Sequence, residues 1–172
     1  TMISHFVDHL PYYRLETIAA RSGVHTPRST LAQWSGRGGA ALEPLYELHR
    51  AFVLAARVLH ADETPVAMLD PGAGKTKRAY VWAYARGEFD PTPGVVYDFC
   101  LGRGAQYPIE FLRGEDRVEG RRSWQGTLVR DEYAGYDSAL DPQSWPGRIG
   151  AGCLAHARRK FDELLKAGDG SS

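Results

Sequence analysis

The run Val58-Leu59-His60-Ala61-Asp62, the turn Asp70-Pro71-Gly72-Ala73-Gly74, the aromatic stretch Tyr80-Val81-Trp82-Ala83-Tyr84 and the run Val95-Val96-Tyr97-Asp98-Phe99-Cys100 together decide the fold. β-Branched and aromatic residues fill the strand-like runs. Gly/Pro clusters at residues 70–74 and at Asp90-Pro91-Thr92-Pro93-Gly94 separate them, so three consecutive strands are expected, the first two as a hairpin ending near Arg86. Downstream the pattern alternates. Residues 106–112 suit a short helix with Ile109 and Leu112 apolar, and residues 113–123 a polar loop. Gly126-Thr127-Leu128-Val129-Arg130-Asp131 reads as a fourth strand, residues 134–140 as helical, 148–154 as a fifth strand and 155–167 as a helix with a basic first half. The order β-β-β-α-β-α-β-α implies an α/β chain of the α+β kind, a mixed sheet with helices on its faces. Residues 168–172 read as a disordered tail.

Upstream of Val58 the period is helical. Leu15, Ile18 and Ala19 share a face, Ser22-Gly23 interrupts, and Thr26-Pro27 has the form of an N-cap with proline in the first turn. A second short helix through Leu31 and Trp34 would complete a helix-turn-helix-like unit. Arg28 and Arg37 are the bases that mark that second helix, which suits either DNA contact or a plain helical hairpin. Gly36 to Gly39 is expected to break the chain, and a third helix to carry Leu42, Leu45, Phe52, Val53 and Ala56 on one stripe. These features divide the chain into a helical segment, residues 1–57, and a sheet domain, residues 58–167.

Composition narrows the function classes. With 172 residues, 43% of them hydrophobic and 24% charged, the chain is globular in type and long enough for one core with an appendage. Its longest apolar stretch, residues 51–59, is interrupted by Arg57 and falls far short of the roughly 20 residues that span a bilayer. Residues 1–10 lack the pattern of a signal peptide, so a cytoplasmic protein without a membrane partner is expected. Cys100 and Cys153 are too few for a disulfide framework and read as free thiols. The formal net charge of zero argues neither for nor against nucleic acid.

Two carboxylates stand out. Asp62 interrupts an apolar strand pattern, and Asp131 ends the fourth strand. Alternation puts Asp62 and Glu63 on opposite faces, and Thr127, Val129 and Asp131 on one face. Were the two strands neighbours, the aspartates would repel by roughly 4 kcal/mol at about 4 Å and an effective dielectric near 20. A divalent cation turns that repulsion into affinity, and oxygen-only ligands suit magnesium or manganese. Capping of nearby backbone by strand-end acids is the plainer alternative.

Several collinear blocks carry a resemblance. His60-Ala61-Asp62-Glu63-Thr64-Pro65-Val66, Leu69-Asp70-Pro71-Gly72, Gly74-Lys75-Thr76-Lys77 and Tyr80-Val81-Trp82 resemble the start of the catalytic domain in transposases of the insertion sequence 66 family. Asp131-Glu132-Tyr133-Ala134-Gly135-Tyr136 resembles that family's Asp-Gly-Tyr-Ala-Gly-Tyr block. Gly152-Cys153-Leu154-Ala155-His156-Ala157-Arg158-Arg159-Lys160-Phe161 resembles its Gly-Cys-Trp-Ala-His-Ala-Arg-Arg-Lys-Phe block. Leu10-Pro11-Tyr12-Tyr13-Arg14 and Arg28-Ser29-Thr30-Leu31-Ala32-Gln33-Trp34 resemble the helical region before that domain, so the likeness covers nearly the whole chain.

The resemblance implies a ribonuclease-H-like fold and a DNA transposase that cleaves and joins DNA at insertion-sequence ends. It implies Asp62 and Asp131 as the first two carboxylates of a DDE triad, both catalytic and metal-binding, holding two magnesium or manganese ions. Glu63 and Thr64 would support the first strand. Double-stranded DNA is the implied partner, with further copies of the chain and element-encoded accessory proteins as others, and the nucleoid is the implied place of the DNA-bound form. The third acid belongs to an Asp-Asn-Asn-x-x-Glu-Arg block that does not occur in these 172 residues, and Glu163 is a poor substitute. Glu132 stands where the family has glycine. The alternative function is a catalytically inactive relic that binds DNA or intact transposase.

Other motifs weigh less. Gly74-Lys75-Thr76 lacks the upstream glycine of a phosphate-binding loop, because Leu69 stands there. Cys153 and His156 lack a second pair for zinc. Arg158, Arg159 and Lys160 open a helix, where cations oppose the helix dipole, which suits phosphate contact or a solvated face equally. His60 shares a face with Asp62 and suits either substrate orientation or the core edge. Trp82, Trp124 and Trp145 read as core or core-edge residues.

Overall fold

A computed structural model describes residues 1–70, 72–114 and 123–169, with side chains through residue 166. The chain divides into two compact units, residues 1–49 and 50–172.

The first unit is helical: α1 (Met2–Phe6), α2 (Tyr12–Arg21) and most of α3 (Arg28–Leu54). Helix α2 stops where the sequence indicates. Gly23 sits at φ +76°, the Val24 amide donates to the Ala19 carbonyl at 3.0 Å and the Gly23 amide to Ala20 at 3.0 Å, a Schellman stop. The start of α3 differs by a residue from expectation, since Pro27 itself supplies the first carbonyl, to the amides of Thr30 and Leu31.

The expected break at Gly36 to Gly39 does not occur. Helix α3 runs unbroken through those glycines and through Pro44, so the second and third expected helices are one. Each glycine costs about 1 kcal/mol against alanine, a local penalty that a long helix absorbs. Gly38 also has a packing reason, because a Cβ there would stand 3.2 Å from the Met2 side chain. The expected stripe is buried only at its end: Val53 and Ala56 are buried, whereas Leu42 and Leu45 are exposed.

The second unit holds five strands: β1 (Val58–Asp70), β2 (Lys75–Arg86), β3 (Val95–Cys100), β4 (Gly126–Arg130) and β5 (Arg148–Gly152). Helix α4 (Gln106–Arg113) follows β3, a 3₁₀ segment (Ala134–Ala139) follows β4, and α5 (Leu154–Asp169) follows β5. The mixed sheet has the order β3-β2-β1-β4-β5. β1 and β3 flank β2 antiparallel, and β1–β4 and β4–β5 pair in parallel, so the expected mixed α/β class and the strand succession hold. The expected loop at residues 113–123 falls largely outside the described residues, as do Pro71 of the turn and residues 170–172 of the tail. Residues 168 and 169 of the expected tail are the last of α5.

One face of this sheet makes the core. Leu59 and Ala61 of β1, Trp82 and Tyr84 of β2, Val96 and Cys100 of β3 and Leu128 of β4 cluster with Phe111 and Leu112 of α4 and with Val53, Trp124 and Tyr136. Tyr84 stacks on Phe111 with ring centroids 3.9 Å apart. The Trp124 indole donates to the Ala56 carbonyl at 2.9 Å, which satisfies its polar atom inside the core. Buried Arg148, at the head of β5, donates to the carbonyls of Trp124 and Ala139 and to Ser123 Oγ, at 3.0, 2.7 and 2.6 Å. Gly126 is required where β4 starts, because a Cβ there would collide with the Arg57 carbonyl. That close approach sets the parallel pairing of β4 on β1, with the Thr127 amide donating to the same carbonyl at 2.8 Å.

Candidate metal centre

The β1–β4 register pairs Val58 with Thr127, Leu59 with Leu128 and His60 with Val129. Two residues further along the two strands stand Asp62 and, just past the end of β4, Asp131, the positions that continued alternation would carry to one face. This is the face away from the core, since Leu59, Ala61 and Glu63 are buried while Val58, His60 and Asp62 are exposed.

Backbone amides orient the two acids. Asp62 Oδ1 accepts from the Glu63 amide at 3.0 Å, and Asp131 Oδ1 from the Tyr133 amide at 3.0 Å. Nε2 of His156, on α5, lies 4.0 Å from Asp62 Oδ1. Asp131 borders a groove of about 510 Å³ whose walls include Arg103, Arg130, Cys153, His156, Arg159 and Glu163. Lys160 also lines it, ion-paired to Glu132 at 2.6 Å. The Glu132 carboxylate is held below its ordinary range by the Lys160 ammonium, so the acid at the family's glycine position is offset by a neighbouring cation.

The other sequence candidates divide. Glu163 lines the Asp131 groove, but among the described residues no three His, Cys, Asp or Glu side chains form a metal-holding cluster. Cys153 and His156 stand together: hydrogen bonding to His156 lowers the Cys153 thiol from its ordinary range. His60 is exposed and borders a different groove, with Arg57, Phe89 and Val129. Gly74, Lys75 and Thr76 lie in the β1–β2 hairpin, with no helix after them. Trp82 and Trp124 are buried, and Trp145 lies under the guanidinium of Arg148, 4.3 Å from its ring centroid.

Behind the open face is a network that sequence reasoning missed. The Glu63 side chain is 1% exposed and accepts from Arg103 Nε at 2.7 Å, again from Arg103 Nη2, and from the Tyr136 hydroxyl at 2.7 Å. Burial first, then the bond to Glu63, drives the Tyr136 hydroxyl far above its ordinary pKa, so it is a fixed donor. Arg103 stacks on the Tyr133 ring, 3.7 Å from its centroid, and its carbonyl accepts from the Tyr133 hydroxyl. A continuous path thus joins the residue after Asp62 to the loop after Asp131. The block Asp131 to Tyr136 hinted at it through its two tyrosines, but nothing local to Arg103 signals its partner 40 residues away.

Comparison with known proteins adds to this geometry. A family model described as Transposase IS66 family matches residues 1–172. The uncharacterized proteins y4qI, y4jD and y4hP of Sinorhizobium fredii are 38%, 34% and 31% identical to this chain over 96%, 96% and 92% of its length. The match covers 31%, 32% and 28% of those relatives, so the chain spans about a third of their length.

Proposed function

Because the chain belongs to the transposase IS66 family, we propose that it is the part of a DNA transposase that contributes the first two carboxylates, Asp62 and Asp131, of a DDE triad. The sheet order, with an antiparallel β1-β2-β3 meander and β4 and β5 added in parallel, supports a ribonuclease-H-like fold. Cleavage and strand transfer at element ends belong to the whole protein in this reading, and duplex DNA is the substrate.

The observation that carries the reading is the parallel β1–β4 register, in which Asp62 and Asp131 each stand two residues past the paired His60 and Val129. Their donor set fits magnesium or manganese: oxygen ligands, an exposed Asp62, and backbone amides that occupy one oxygen edge of each carboxylate and leave the rest free. Bound there, such a cation supplies Lewis-acid polarisation of the scissile phosphodiester. The chain's own groups do the rest. The Glu63 and Tyr133 amides aim the carboxylates, the Glu63–Arg103–Tyr133 path fixes the spacing of β1 and the Asp131 loop, and Arg159 offers a cation to DNA phosphate.

Manganese titration followed by calorimetry tests the reading on wild type, Asp62→Asn and Asp131→Asn. Both variants should lose the binding heat. Identical titrations for wild type and Asp131→Asn would count against a metal role. The second reading is a non-catalytic DNA-binding or transposase-binding chain. It predicts DNA binding that is indifferent to Asp131→Asn and to manganese.

A further inference from the structure

The first two strands are longer than their neighbours require. β4 pairs with β1 only as far as His60, and β3 pairs with β2 only from Tyr80 onward. Beyond that, Ala67, Met68, Leu69 and Asp70 pair with Arg78, Lys77, Thr76 and Lys75 and, among the described residues, with no other strand. At about 3.4 Å per residue this two-stranded ribbon projects roughly 14 Å past the sheet. It leaves from the C-terminal end of β4, the end where Asp131 stands.

Its charge is one-sided. Lys75, Lys77 and Arg78 are all exposed, and two of the chain's four lysines are here. The carboxylate among them is Asp70, whose Oδ1 is 4.0 Å from Lys77 Nζ, with both side chains well exposed. Cross-strand register places Lys75 and Lys77 opposite Asp70 and Met68, on the face that also carries Asp62. A ribbon with three exposed cations to one carboxylate, and with Leu69 exposed near its tip, does not close a core.

We infer that the β1–β2 ribbon is a DNA-contact arm that lies along the duplex held at Asp62 and Asp131, with Lys75 and Lys77 on phosphates. This rests on the transposase reading above and adds a surface to it. The dimensions agree. A two-stranded ribbon fits the major groove, about 12 Å wide. Lys77, paired with Met68, is about six residues along the ribbon from Asp62, or roughly 20 Å, which is little more than half of the ~34 Å helical repeat. The arm therefore meets the duplex half a turn from the phosphate at the aspartates.

The test measures binding of the 172-residue chain to a duplex of about 30 base pairs by fluorescence anisotropy at several salt concentrations. Wild type is compared with Lys75→Ala/Lys77→Ala, Lys75→Glu/Lys77→Glu and Arg159→Ala, with far-UV circular dichroism confirming that each is folded. Loss of two phosphate contacts should make the log K against log salt slope shallower by about 1.8, and weaken binding at low salt on the order of a hundredfold. The charge reversal should weaken it further. An unchanged slope in both lysine variants, with binding reduced by Arg159→Ala, would overturn the arm and leave the transposase reading intact. No binding by wild type at the lowest salt would overturn both. Self-association abolished by Leu69→Ser, with DNA affinity unchanged in the lysine variants, would make the ribbon a protein contact instead.

Discussion

Asp62 and Glu63 are adjacent on β1, yet the side chain of Asp62 is 59% exposed and that of Glu63 only 1%. The pleat separates them onto two faces with opposite chemistry. On the core face Glu63 receives hydrogen bonds on both carboxylate oxygens, from Arg103 and Tyr136, as a buried charge must. Asp62, on the opposite face, and half-buried Asp131 each accept a backbone amide, from Glu63 and Tyr133. The difference teaches how to sort carboxylates: a buried acid with both oxygens hydrogen-bonded holds structure, and an exposed acid with one backbone partner is the candidate for a ligand.

That contrast breaks or stands on stability measurements, and the largest effect belongs to the core face. Glu63→Ala should cost about 3 kcal/mol, because it strands the Tyr136 hydroxyl and the Arg103 guanidinium, the latter partly relieved by solvent. A urea midpoint unchanged by Glu63→Ala would remove the distinction between the faces. Glu63→Gln keeps an acceptor for one partner and should fall between Glu63→Ala and wild type. Tyr136→Phe deletes one donor while Arg103 still covers Glu63, so about 1 kcal/mol is expected from the same urea curve. Asp62→Asn should leave stability within about 0.5 kcal/mol of wild type, as expected of an exposed site, while abolishing manganese binding. A large stability loss there would mark Asp62 as structural.

The two thiols sharpen the comparison at the smallest scale. Cys153, lining the Asp131 groove, has its thiolate favoured by hydrogen bonding to His156. Cys100, in the core, is pushed up to about 12 by burial and by the Asp98 carboxylate. Iodoacetamide at mildly alkaline pH, followed by peptide mass spectrometry, should label Cys153 and spare Cys100 in the folded chain. The signs for stability are opposite. The Cys153 contribution is present above the unfolded thiol pKa and fades as pH falls through the folded value. For Cys100 the fold binds the proton more tightly, so stability declines as pH rises from about 9.0 to about 12.

The succession of strands and helices, the β1–β2 hairpin, the class of the fold and the opposite orientation of Asp62 and Glu63 were all legible in the sequence. They depend on period-two alternation and on Gly/Pro punctuation, which act over a few residues. The stop of α2 at Ser22-Gly23 was legible for the same reason. The continuity of α3 was not. Three glycines are a local argument for a break, but each costs only about 1 kcal/mol against alanine, which a helix of 27 residues absorbs.

The candidate site splits along the same line. That Asp62 and Asp131 could share a face followed from alternation, but that their strands are neighbours was decided by the parallel pairing of β1 with β4, whose register joins His60 to Val129, 69 positions further along the chain.

 That pairing is a long-range contact, and it depends on the close approach of Gly126 to Arg57, which no local pattern announces. The burial of Glu63, its capture by Arg103 and Tyr136, and the approach of His156 to Asp62 are tertiary in the same sense. Sequence alone therefore determined which residues could form strands and which face each carboxylate takes, because backbone stereochemistry sets both within a few residues. Which strands lie side by side, and which acid is neutralised and which left open, only the folded chain decided, because those depend on partners brought from far along the sequence.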